Sequence, residues 1–133
     1  MTKTDIQIRF TDIDMLGHVN NVVLQQYYDL GKVDYFRSVL NLPALWNEEA
    51  FIAAATSTNY FEEVKVDDVL YVTTKIIKIG TKSITLSQEI VDSATQRVKG
   101  QSESVLVAFD LKKRESFVIH DHLREKITAY ERL

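Results

Sequence analysis

Two carboxylates, a histidine and two asparagines are concentrated in residues 12–21 of the 133-residue chain, in the order Asp-Ile-Asp-Met-Leu-Gly-His-Val-Asn-Asn. Directly afterwards, apolar side chains recur every three or four residues, which predicts a long helix over about Asn20–Leu40. A helix that begins at Asn20 or Asn21 points its unpaired N–H groups and the positive end of its dipole at the polar segment. The carboxylate of Asp14 is thereby placed beside an end that can hold developing negative charge, which suits attack on a carbonyl.

The elements predicted around this segment define an α+β chain. Alternation of Ile6, Ile8 and Phe10 with polar residues predicts a short strand, and Gly31 in mid-helix predicts close approach of a sheet. Strands are predicted over Phe51–Phe61, Val69–Ile79, Ile84–Val91 and Val98–Leu111, with an edge strand at Phe117–Ile119. The long helix is predicted to stop at Pro43 and to be followed by a turn over Leu45–Glu49, and a final helix is predicted over about His122–Glu131. Short turns such as Gly80–Ser83 make neighbouring strands antiparallel, and an antiparallel sheet would cover the apolar face of the helix.

Composition limits the class of protein. The length predicts a single domain over residues 1–133, and 45% hydrophobic with 26% charged residues is typical of a globular chain. A net charge of −3 disfavours a nucleic-acid partner. The chain has no cysteine, which removes disulfides, zinc–thiolate sites and thiol nucleophiles. No apolar run has the length of a signal peptide core or a membrane span, so we expect a cytoplasmic protein without a membrane partner.

From Asp12 to Asn21 and along the aromatic helix that follows, the chain resembles the hotdog-fold acyl-CoA thioesterases of the 4-hydroxybenzoyl-CoA thioesterase-like family. The resemblance implies a hotdog fold, hydrolysis of acyl-CoA or acyl carrier protein thioesters, no cofactor, and assembly into dimers or dimers of dimers. It implies that Asp14 is the catalytic carboxylate and that the N–H of Asn21 polarises the carbonyl. Gly17 and His18 match the turn that aims this N–H, with His18 assisting the reaction.

The same resemblance implies contacts with the substrate at several other positions. They are Gly17 in the turn, Tyr27 on the helix, Ser57, Thr58 and Asn59 reaching across to the site of the other subunit, and Lys82 and Ser83 near the coenzyme A phosphates. The sequence departs from the family pattern where Leu24 replaces an aromatic residue. It departs again where Glu63 and Asp67 replace a proline and a glycine.

The same polar segment admits structural interpretations. Asp14 also fits a turn aspartate that accepts bonds from nearby backbone N–H groups, and Asp12 is expected to brace the loop. If Asp14 is catalytic, it either attacks the thioester or activates water, and the sequence does not separate the two routes. A metal site at Asp12, Asp14 and His18 is disfavoured because no further His or Cys cluster supports it, so no metal is expected. His120 and His122 are expected at a solvated helix start.

Two other functions remain open at this stage. One is a hotdog hydratase or dehydratase acting on enoyl or hydroxyacyl thioesters, for which Asp14 and His18 offer an acid/base pair. The other is a domain that binds acyl thioesters without turning them over.

Overall fold

The computed structural model describes residues 1–42 and 48–133. In chain order the elements are β1 (Thr2–Ile6), a 3-10 turn (Phe10–Asp12), α1 (Asn21–Ser38), β2 (Glu49–Tyr60), β3 (Leu70–Ile79), β4 (Ser83–Asp92), β5 (Arg97–Asp110), β6 (Glu115–Ser116) and α2 (Asp121–Glu131). All strand pairs are antiparallel, in the order β1-β3-β4-β5-β2, and β6 pairs with the end of β5. The predicted α+β architecture, an antiparallel sheet with one long helix, is confirmed.

The helix α1 packs over β1, β3 and β4, and this contact forms the core. One buried cluster joins the first half of α1 to the sheet and contains Leu24, Tyr27, Tyr28, Ile6, Val64, Val72 and Ile90. The other cluster joins its second half to the sheet and to α2, and contains Tyr35, Phe36, Leu40, Ile84, Leu86, Leu106 and Ile127. The edge strand β2 is mostly exposed on both faces, because α1 packs over β1, β3 and β4 and not over β2.

Gly31 is where helix and sheet approach most closely, as the sequence predicted. A Cβ atom added there would lie 2.7 Å from Val72 Cγ1 and 2.8 Å from Thr74 Oγ1. Both neighbours are fully buried. A residue without a side chain therefore sets the distance between α1 and β3.

The first strand and the last edge strand differ from the sequence prediction. β1 ends at Ile6 because its partner β3 begins at Leu70, the residue paired with Ile6, so the sheet offers no partner further along. Phe10 lies in the 3-10 turn and is 89% exposed. The edge strand is Glu115–Ser116 instead of Phe117–Ile119, because Glu115 and Ser116 are the residues that meet the end of β5.

The chain after α1 is described only in part. Leu42 donates its N–H to the carbonyl of Phe36 at 2.9 Å, beyond the helix end at Ser38. The predicted stop at Pro43 and most of the predicted turn over Leu45–Glu49 lie outside the described residues. Within the described ranges no helix is long and apolar enough to cross a membrane.

Candidate active site

Asp14 begins a tight hairpin turn that ends at His18. The N–H of Asp14 donates to the carbonyl of His18 at 2.9 Å, and the N–H of Gly17 donates to the carbonyl of Asp14 at 3.1 Å. Gly17 has φ +79°, a left-handed conformation that glycine adopts at little cost. Ile13 and Val19 form a bridge that closes the base of the turn. The sequence D-x-x-G-H therefore folds into a turn that holds Asp14 at a fixed place.

The carboxylate of Asp14 is half-buried and bonded on one side only. Oδ1 accepts the N–H of Leu16 at 2.9 Å, which is the turn-aspartate contact that the sequence allowed. Oδ2 accepts no hydrogen bond from any residue in ranges 1–42 and 48–133. One oxygen thus fixes the side chain while the other stays available to a reacting group.

The first turn of α1, three residues after His18, leaves a backbone donor without a partner in the part of the chain that the structure describes. The side chain of Asn20 caps the helix by accepting the N–H of Val22 at 2.8 Å, and its carbonyl accepts the N–H of Leu24 at 3.0 Å. The N–H of Asn21 has no acceptor among the described residues. Such a donor at the positive end of a helix dipole can hold an oxyanion.

Asp12 lies beneath the turn and is 2% exposed. It accepts the Tyr27 hydroxyl at 2.5 Å and the N–H of Arg9 at 3.0 Å, while its carbonyl accepts the N–H of Asn20 at 2.9 Å. Burial alone would raise the pKa of Asp12, but hydrogen bonds from Tyr27 and Arg9 and the charge of Arg9 bring the pKa below its usual value. These contacts agree with the predicted bracing role, since Asp12 ties the turn to α1.

Tyr27 holds Asp12 in place through its hydroxyl, and its side chain is almost entirely buried. It is 3% exposed, and burial together with the bond to Asp12 raises the pKa of its hydroxyl well above the usual value. The family resemblance predicts a substrate contact for Tyr27. Within one protomer this side chain is buried in the core, so the substrate contact stays a prediction.

A contact that the sequence did not predict joins His18 to the connection between β2 and β3. His18 Nε2 lies 2.6 Å from Glu63 Oε2, and the N–H of Val19 donates to the carbonyl of Val64 at 2.7 Å. Lys65 Nζ lies 3.3 Å from the other Glu63 oxygen. The only signal in the sequence was that Glu63 stands where the family has proline.

The three polar residues predicted on β2 point to different faces of the sheet. Thr58 faces α1, with its hydroxyl 3.4 Å from Gln25 Oε1, and borders a cleft of about 620 Å³ between α1 and β2. Other side chains that line this cleft are Asp29, Lys32, Thr56, Gln88 and Ser104. Ser57 and Asn59 line a hollow on the opposite face of the sheet. Only Thr58 therefore shares a face with α1 in one protomer.

Lys82 and Ser83 lie at the end of the sheet away from Asp14. The Asp14 turn is next to the Leu70 end of β3, while Lys82 and Ser83 follow the Ile79 end. A strand of ten residues spans about 30 Å. The structure of one protomer therefore does not bring Lys82 and Ser83 to the Asp14 turn.

Within residues 1–42 and 48–133 no three His, Cys, Asp or Glu side chains are grouped so that they could hold a metal ion. Residues 14–21 contain a carboxylate oxygen without a partner and a backbone donor without an acceptor, both among the described residues, and the imidazole of His18. These groups together are suited to acyl transfer at a carbonyl.

Comparisons with known proteins place this chain in a family. The chain belongs to the thioesterase-like superfamily, whose family model matches residues 8–127. It is 25% identical over 126 residues to the long-chain acyl-CoA thioesterase FadM of Escherichia coli (strain K12), a match that covers 94% of this chain and 96% of FadM. It is 28% identical over 81 residues to the uncharacterized protein YsmA of Bacillus subtilis (strain 168), a match of 61% of this chain and 54% of YsmA.

The fold is that of solved thioesterases. The structure of a thioesterase from Thermus thermophilus, complexed with coenzyme A and Zn, superposes with a TM-score of 0.85 at 24% identity and covers 98% of this chain and 95% of that chain. This likeness and the family match confirm the predicted hotdog fold.

Proposed function

We propose that the protein hydrolyses acyl-CoA or acyl carrier protein thioesters to the free acid and the thiol. The observation that carries the proposal is the position of the Asp14 turn directly before the unpaired N–H of Asn21. Membership of the thioesterase-like superfamily and the likeness to FadM support the same substrate class.

Asp14 acts by one of two routes. In the first, its oxygen bonds to the thioester carbon, the C–S bond breaks, the thiolate leaves and takes up a proton, and water then hydrolyses the mixed anhydride. In the second, Asp14 takes a proton from water as the resulting hydroxide attacks, and the proton passes to the departing thiolate. Both routes place negative charge on the carbonyl oxygen, where the N–H of Asn21 stabilises it. His18 assists from the end of the same turn.

We further propose that two copies pair along β2. This strand has twelve residues, lies at the edge of the sheet, and exposes most of its side chains, including Ala53, Ala55 and Ser57. Proteins seldom leave a long edge unprotected, and a twofold axis lets identical edges pair. The pair is a homodimer, and two pairs would give a dimer of dimers.

Pairing along β2 would let the second protomer contribute residues to the proposed site of the first. Thr58 of the partner subunit would approach the cleft beside α1, because antiparallel pairing of two edges keeps the faces of the two sheets aligned. Ser57 and Asn59 would stay on the opposite face, and the contacts of Gly17, Tyr27, Ser57, Asn59, Lys82 and Ser83 with substrate belong to the same proposal. No cofactor takes part, because water is the second reactant. A substrate of this kind would be met in the cytoplasm, the compartment expected from the sequence.

The test is thiol release, measured with a coloured thiol reagent over short, medium, long and aryl acyl-CoAs. The chain has no cysteine, so the protein itself adds no thiol signal. We expect release with at least one member of the panel. Hydration of enoyl-CoA without thiol release would indicate the hydratase function instead. Saturable binding without either reaction would indicate a binding domain.

A further inference from the structure

The pair formed by His18 and Glu63 joins the Asp14 turn to the connection between β2 and β3. Its two atoms, Nε2 and Oε2, lie 2.6 Å apart, which is a short hydrogen-bonding distance between a ring nitrogen and a carboxylate. Residues 18 and 63 are distant in sequence, so the contact depends on the fold. It connects the turn to the segment that leaves the edge strand β2.

One backbone hydrogen bond and one buried side chain hold the two segments of this contact together. The N–H of Val19 donates to the carbonyl of Val64 at 2.7 Å, so the residues that follow His18 and Glu63 are bonded to each other. Val64 is also 1% exposed and belongs to the core cluster under α1. Glu63 is therefore anchored through its neighbour, and its carboxylate reaches the ring of His18 from a rigid base.

The pair contributes little to stability. The side chains of His18 and Glu63 are 35% and 46% exposed, and ion pairs in such positions typically contribute between about 0 and 1 kcal/mol. Lys65 contacts the other oxygen of Glu63, so the carboxylate keeps a partner even without His18. A substitution of Glu63 should therefore change the orientation of the imidazole and leave the stability of the protein nearly unchanged.

We propose that Glu63 is a positioning residue that holds the imidazole of His18 at the end of the Asp14 turn and acts on thioester hydrolysis through that ring. The inference rests on the proposed function and adds to it a residue from a different segment.

A double-mutant cycle tests the proposal with His18→Ala, Glu63→Gln and both together. We expect Glu63→Gln to lower kcat between about 10- and 100-fold with KM unchanged, as for a misplaced catalytic group. In the His18→Ala background the same change should alter kcat less than about twofold, because the ring that Glu63 positions is gone. Lys65→Met is the matched control, since it removes the other partner of Glu63 and should leave kcat at the parental value.

Three outcomes would overturn the proposal. They are an unchanged kcat in Glu63→Gln, an equal loss in the His18→Ala background, and a melting temperature that falls in step with kcat.

A second readout separates this proposal from the function itself. Diethylpyrocarbonate acylates exposed imidazole nitrogens, and peptide mapping reports each histidine separately, with His122 as internal reference. Glu63→Ala removes both carboxylate oxygens and so frees Nε2 of His18, and acylation of His18 should become several-fold faster while that of His122 stays constant. An unchanged rate at His18 would reject the positioning role, even in a protein that released no thiol. Faster acylation of His18 in a protein that releases no thiol would reject the proposed function but would support the contact between Glu63 and His18.

Discussion

At the scale of single residues, the donor proposed for the oxyanion can be deleted without disturbing the helix. Asn21 is the first residue of α1, where proline is well tolerated, and Asn20 has ψ 139°, a conformation compatible with a following proline. We expect Asn21→Pro to lower kcat by about 10²- to 10³-fold, since it removes the N–H. Asn21→Ala keeps the N–H and should lose much less. Equal rates for the two variants would show that this donor has no part in the reaction.

The brace between Asp12 and Tyr27 makes a separate prediction about stability and pH. Because the pKa of Asp12 is lowered in the folded state, it stabilises the protein above the unfolded pKa of about 4, and this contribution is lost as the pH falls through the folded pKa. Tyr27→Phe removes one of the bonds that lower the pKa. It should reduce the free energy of unfolding by about 1–2 kcal/mol at pH 7.

Urea titrations at pH 7 and pH 3 check this prediction. The difference between Tyr27→Phe and the parent should shrink at pH 3, because the unfolded chain then binds a proton at Asp12 and the stabilisation that comes from the lowered pKa begins to be lost. Tyr71→Phe is the control, since the hydroxyl of Tyr71 bonds to Gln96 at an exposed position. A difference that grows in acid would contradict the assigned brace.

Residue types alone indicated part of the site. Asp14, Gly17 and the helix start at Asn20 belong to one continuous segment, so local turn and capping rules were enough to place them. Glu63 could not be found in this way, because its partner lies in a distant part of the sequence and only the fold brings the two together. The burial of Tyr27 agrees with its place on the predicted apolar face of the helix, but the bond from its hydroxyl to Asp12 could not be predicted from that position.

At the scale of elements, the distance between α1 and the sheet depends on Gly31. Alanine there would gain about 1 kcal/mol of helix propensity but would force the side chains of Val72 and Thr74 to move, at a cost of about 1–3 kcal/mol. We expect Gly31→Ala to destabilise the protein in thermal or urea unfolding. Gln26→Ala, on the same helix, should be close to neutral. A Gly31→Ala protein more stable than the parent would show that helix and sheet separate easily.

Most helices and strands were predicted from the sequence, and the errors in the predicted bounds have a physical cause. Periodicity located α1 because its apolar face is continuous, and the strands were located by β-branched residues between short turns. The alternation of Ile8 and Phe10 suggested that β1 continues, but a strand needs a partner, and β3 does not extend that far. Pairing of this kind depends on the other strand, so it cannot be read from local alternation.

At the scale of the whole molecule, the proposed pairing along β2 has a simple test. Ala55→Arg and Ser57→Arg place a long cation at positions that are exposed in one protomer, so folding should be unaffected. In a dimer the same side chains would lie at the interface, where bulk and like charge oppose association. We expect sedimentation velocity to show the parent at twice the mass of one chain or more, and both variants at the mass of a single chain.

Thr95→Arg, in the exposed turn between β4 and β5, is the control and should sediment like the parent. Variants that keep the parental mass would move the interface away from β2. The sequence could suggest assembly only through the family resemblance, because the exposure of β2 depends on which strands α1 covers.

The central claim is that Asp14 carries out thioester hydrolysis, and Asp14→Asn tests it most directly. Asparagine retains an Oδ1 that can accept the N–H of Leu16, so the turn should keep its shape while the carboxylate is lost. Thiol release should be measured for both proteins with the acyl-CoA that the parent hydrolyses fastest, with melting temperatures compared in parallel. The account predicts a kcat at least about 100-fold lower in the variant at an unchanged melting temperature. A variant as active as the parent would contradict it.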